Sequence, residues 1–174
     1  MVAALAIALC VAACSSEGSS SGTQVVDSTT PADSSTAAPR VDLISPAITA
    51  LEARLGGPQQ YFEINATSQL VNLIVALNDG AVAQPWVYLD GELSSTEGVE
   101  ASGFTFSAAA LDFDPGTVLG RLQSELPQSS ADLFFVEGGE SGIVRYSVAV
   151  TSRQGGQLVV VVGPDGTVRS VDPG

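Results

Sequence analysis

The chain has 174 residues and a mass of 17.6 kDa, with 45% apolar and 14% charged residues, so one ordinary domain with a buried core is expected and wholesale disorder is excluded. Nineteen acidic residues face six basic ones, all arginine; the formal charge of -13 repels phosphate backbones and argues against nucleic acid as a partner. Histidine and lysine are absent, which excludes Ser-His-Asp and Cys-His catalysis, histidine-bearing metal sites, Schiff bases and a lysine-dependent phosphate loop.

Residues 1–13, MVAALAIALCVAA, form an apolar run shorter than the roughly 20 residues that span a bilayer, and read as a signal peptide. No basic segment precedes the run, so a start codon upstream of Met1 is expected. It ends in Val11-Ala12-Ala13-Cys14-Ser15-Ser16, which resembles the lipobox of bacterial lipoproteins. The resemblance implies cleavage before Cys14, diacylglycerol on its thiol, a further acyl chain on the new N-terminus, and display at the extracytoplasmic face of the cell membrane. Two or three acyl chains hold firmly where one does not, each buried methylene contributing about 0.8 kcal/mol. A body this acidic would not adsorb to an anionic surface unaided. Cys10 would leave with the leader, so no disulfide is expected in the mature chain.

Residues 14–40 then read as the lipidated cysteine and a Ser/Thr-rich linker that keeps the body on the order of 30 Å from the membrane. Residues 41–174 read as the globular domain, written as possible repeats 45–95 and 114–172. Ser45-Pro46 has the chemistry of a helix start, Ile48, Leu51 and Leu55 share one helical face, and Gly56-Gly57-Pro58 is a stop. Three extended segments follow, at Tyr61 to Ala66, Leu70 to Leu77 and Gln84 to Leu93. A strand from Gly103 to Leu111 is expected to bridge the halves.

Asp114-Pro115 repeats the start signal, Leu119, Leu122 and Leu126 the stripe, and Pro127 the stop. Further segments run from Asp132 to Glu137, Ile143 to Thr151, and Gln157 to Val171 with a kink at Gly163-Pro164. The expected fold is α+β: two helix-then-β-meander units sharing a largely antiparallel sheet, with helices on one face. In outline it resembles tandem PepSY-type modules and secreted β-lactamase inhibitory proteins, a topological likeness from which no residue role carries over.

Candidate chemistry is sparse. Asp112 and Asp114 stand two apart and could share a divalent cation, but Asp114 already suits a helix cap. Glu137 and Glu140 flank Gly138-Gly139 and read chiefly as a solvated turn, with calcium binding or pairing to a partner's arginine as the functional alternative. Asp79, Asp90 and Asp165 precede glycines, as turns favour. Along the third segment Trp86 and Tyr88 alternate with Val87 and Leu89. With the aliphatic set in the core, Trp86 and Tyr88, joined by Tyr61 and Tyr146, would form an exposed aromatic binding strip on the open face of the sheet.

The expected function is a non-catalytic, membrane-anchored module binding a protein, peptide or envelope component, with no cofactor and no metal. The alternatives are a carrier or sensor of an apolar ligand, and an envelope hydrolase working with acidic residues.

Overall fold

The computed structural model describes residues 37–173; Cys14, the expected signal peptide and most of the expected linker lie outside the described residues. Strand β1 (Gln60–Ala66), β2 (Val71–Leu77), β3 (Val82–Leu89) and β4 (Glu92–Ser95) follow helix α1 (Ile44–Leu55). Two short strands, β5 (Val99–Glu100) and β6 (Phe106–Ser107), lead to helix α2 (Val118–Glu125). The chain closes with β7 (Ser129–Gly138), β8 (Val144–Ser152), β9 (Gln157–Val162) and β10 (Val168–Pro173).

All ten strands belong to one sheet, ordered β10-β9-β8-β7-β1-β2-β3-β4, with β5 pairing β3 and β6 pairing β1; every pairing is antiparallel. This corrects the expected fold class. Two helix-β units do not form: β1 and β7 pair directly, from Glu63↔Glu137 to Ala66↔Phe134, so the sheet runs unbroken through the middle of the molecule. The fold is β-rich, with two short helices as accessories.

Several local readings are corrected with it. The third segment is two strands, because Asp90 (φ 51°) and Gly91 (φ 87°) turn the chain back at Leu89↔Glu92. Likewise the expected kink at Gly163-Pro164 is a reversal between β9 and β10, closed by Gly163 N–H donating to the Thr167 carbonyl at 2.8 Å. The bridge expected from Gly103 to Leu111 shrinks to the two residues of β6 and a 3-10 turn over Ala108–Ala110.

Ser45 caps nothing. The 3-10 turn Val41–Leu43 leads straight into α1, which therefore starts at Ile44, two residues before the expected first helical residue Pro46. Asp114 sits a turn before α2, its Oδ1 accepting from Gly116 N–H at 2.8 Å.

Alternation decides which residues meet the helices. One face of the sheet presents Tyr61, Ile64 and Ala66 of β1, Val71, Leu73 and Val75 of β2, and Trp86 of β3. Phe134 and Val136 of β7, Tyr146, Val148 and Val150 of β8, and Val160 and Val162 of β9 continue it. These form one buried cluster with Ile44, Ala47, Ile48 and Leu51 of α1 and Val118 and Leu122 of α2, so both helices cover the same face. A bulge between Tyr61 and Glu63 keeps this pattern in β1: the extra residue puts Ile64 inward with Tyr61 and turns Glu63 to the other face.

Candidate functional site

Three of the four aromatic residues expected to bind are core residues. Tyr61 is fully enclosed, and Trp86 and Tyr146 are nearly so, while Tyr88 packs half-buried against the same cluster. The expectation had the faces of β3 inverted. Trp86 lies inward against Leu73, its ring under the Arg54 guanidinium at 5.3 Å, whereas Leu89 is exposed. Tyr61 donates its hydroxyl to Glu52 Oε1 at 3.2 Å; burial first, and the Glu52 charge second, push its phenol well above the ordinary value. Tyr146 stacks with Phe134 and meets Phe113 at a tilt, accepts the Asp112 N–H at 2.9 Å, and is also raised, chiefly by burial.

The carboxylates separate into turns and one row. Asp112, Asp114 and Asp165 line an open cleft of about 450 Å³ beside α2, but no group of three metal-ligating side chains with metal-holding geometry occurs among the described residues. Asp165 accepts from Thr167 and lies 3.6 Å from Arg121, and the Thr167 hydrogen bonds foremost hold its carboxyl below the usual range. Asp79 and Asp90 take left-handed geometry before their glycines, as the turn reading requires.

The face of the sheet away from the helices carries a different set. Ile74, Pro85 and Val87 lie on one side, and Phe135, Ala149, Val159 and Val161 on the other. Between them runs a polar seam in which Asn72 Nδ2 donates to Asn65 Oδ1 at 2.7 Å and Asn65 Nδ2 to Glu63 Oε1 at 2.6 Å. Toward one end of this seam Arg145, Glu137 and Glu63 stand side by side on β8, β7 and β1, directly opposed in register.

The two ends of the sheet also differ. The chain enters the body at the first end, where Arg40 N–H donates to the Thr67 carbonyl at 2.8 Å in the β1-β2 turn. The β3-β4 turn and the C-terminal end of β10 lie at the same end, here called proximal. The opposite, distal end carries the β2-β3, β7-β8 and β9-β10 connections. Among the described residues the three most exposed large apolar side chains all lie there: Ile143 at 64%, Val99 at 61% and Phe104 at 54%.

Phe104 and Ile143 share a cleft of about 310 Å³ with Gly139, Glu140 and Arg145. The cleft is built by close backbone contact. The Phe104 segment lies against Gly138, where an added Cβ would meet the Phe104 carbonyl oxygen at 2.6 Å, and Gly139 N–H donates to the Ile143 carbonyl at 2.6 Å. Ser141 (φ 59°) and Gly142 (φ 75°) form the turn that thrusts Ile143 outward.

Neither Phe104 nor Ile143 stood out in the sequence as a site residue, because each lies in a stretch counted as strand. One signal was available: both follow Ser-Gly, at Ser102-Gly103 and Ser141-Gly142, where a large apolar residue just past a turn has no partner strand face to enter. No family model, curated protein or solved structure matches the chain.

Proposed function

We propose that this chain is a lipid-anchored, extracytoplasmic and non-catalytic binding module that docks a protein partner through its distal end. Anchoring rests on the Val11-Ala12-Ala13-Cys14 lipobox, with the acylated Cys14 holding the molecule at the membrane surface. The single observation that carries the docking site is the meeting of two of the three most exposed large apolar side chains among the described residues, Phe104 and Ile143, around one cleft at the end opposite the point where the chain enters the body. Exposed apolar groups gathered at one place mark interaction surfaces, whereas scattered ones need no explanation. Their placement turns the cleft away from the attachment point.

A photo-crosslinking residue placed at position 143 of the membrane-bound protein tests this reading, with position 171 at the proximal end as control. The expected result is a discrete protein adduct from 143 and none from 171. Adducts from 171 alone, or from neither position, overturn the docking site. Cys14→Ser should release the protein from membranes or leave it as a precursor, and acyl labelling that persists in that variant contradicts the anchor.

A further inference from the structure

The row of charges beside the distal cleft indicates what chemistry the partner carries; this inference rests on the docking site just proposed. Glu63 and Glu137 are directly opposed across β1 and β7, and Arg145 opposes Glu137 from β8, all on the face that the helices leave uncovered. Side chains so placed lie about 5 Å apart at Cβ, and like charges directly opposite destabilise a sheet. Arg145 faces Glu137 from the neighbouring strand without closing an ion pair on it, and Glu63 is met by the neutral Asn65 amide. Among the described residues the ion pairs join Arg40 to Asp42 and Arg121 to Glu125 and Asp165, so no arginine comes within 4.0 Å of Glu63 or Glu137.

Arg145 does not balance the row. It is one guanidinium among Glu63, Glu137 and, across the cleft, Glu140, and its aliphatic stem lies against Gly139, with Cγ 3.8 Å from where a Cβ would stand. Three carboxylates, Glu63, Glu137 and Glu140, share the row and its cleft with Arg145, while Arg169 lies beside Gly163 past the arginine end of the row, and the chain as a whole carries -13. An anionic ligand for Arg145 would meet both these carboxylates and the long-range field, while a cationic one is drawn in by each. The apolar cleft and the acidic row share Arg145, so one partner segment can engage both.

We infer that the partner is a protein presenting a basic side chain next to a large apolar one, the apolar group entering the Phe104–Ile143 cleft and the cation lying over Glu63 and Glu137. The bulge that turns Glu63 out of the core is then also what completes the acidic pair.

The test uses the full-length protein and three synthetic peptides: one of leucine and lysine, one with serine in place of leucine, and one with glutamate in place of lysine. Only the first should bind well. Its affinity should fall about two- to fivefold for each of Glu63→Gln and Glu137→Gln, the range of single partly exposed ion pairs, and fall further as salt rises. The double variant Glu92→Gln/Asp172→Asn removes as much charge at the proximal end as Glu63→Gln/Glu137→Gln removes at the distal end and should leave affinity unchanged, while Phe104→Ser and Ile143→Ser should weaken it.

Equal losses from the distal and proximal charge pairs would mean a diffuse field and overturn the inference, as would binding of the serine peptide as tight as that of the leucine one. Capture of a second copy of this chain, or of lipid, at position 143 also contradicts it. A protein adduct at 143 together with no effect of the glutamate variants would remove this inference alone and leave the docking site standing.

Discussion

On the helix-covered face of the sheet, Tyr61, Phe134 and Val148 are sealed from water; at the distal end, Phe104 and Ile143 keep more than half of their surface in contact with it. The chemistry of the side chains does not separate the two groups, since a phenylalanine stands in each. Their backbones do. Covered residues sit on paired strands whose alternation, restored by the bulge after Tyr61, delivers them to α1 and α2, whereas the exposed ones follow turns that open no inward position. A large apolar residue in this molecule thus becomes core or docking surface according to the local backbone, and its size alone decides nothing.

Truncation at each region gives the largest test of that contrast. Phe134→Ala should cost about 3–5 kcal/mol, and Ile143→Ser should stay within about 0.5 kcal/mol, both read from urea or thermal unfolding. Equal losses would place the distal end in the core and dissolve the comparison. Gly138→Ala joins the two regions, because its new methyl would press on the Phe104 carbonyl. A loss of about 1–3 kcal/mol is expected, along with weakened binding at the cleft; an unchanged variant would show that this contact does not position Phe104.

The smallest effect is a dependence on alkaline pH. The phenols of Tyr61 and Tyr146 are raised by burial, so the unfolded chain loses these protons near 10.0 while the folded one keeps them. Their contribution is complete below that pH and is lost as pH rises above it, by at most about 1.4 kcal/mol per tyrosine for each pH unit. Tyr61→Phe should flatten this decline, as followed by unfolding at a series of alkaline pH values. A decline that stays just as steep would mean that Tyr61 is not sealed.

How far the sequence reached depended on whether a feature was local. The α1 stop at Gly56, the Asp79-Gly80 turn and the cores of most strands follow from single residues and short patterns, and they were legible, whereas Asp90-Gly91 suited a turn by residue type yet the extended segment ran through it. The pairing of β1 with β7 depends on chain closure over some 70 residues, and no local pattern encodes it.

The inverted face of β3 has a different cause. Alternation separates Trp86 and Tyr88 from Val87 and Leu89 but does not say which set faces inward. The turn at Asp90-Gly91 places Leu93 opposite Tyr88, so that one aliphatic residue sides with the aromatics. Trp86 and Tyr88 also offer more area to bury than the residues they displaced. The acidic row was half visible: Glu137 and Glu140 were read beside a turn, but the β1 bulge that adds Glu63 left no mark in the sequence.

The most direct measurement is carbene footprinting of the protein in its native envelope, compared with the purified protein. Strong labelling at Phe104 and Ile143 after purification, with marked protection of both in the envelope and equal labelling of Val171 in the two samples, is the expected result. Equal labelling of Phe104 and Ile143 in both samples, with protection at Val171 instead, would contradict a docking surface at the distal end.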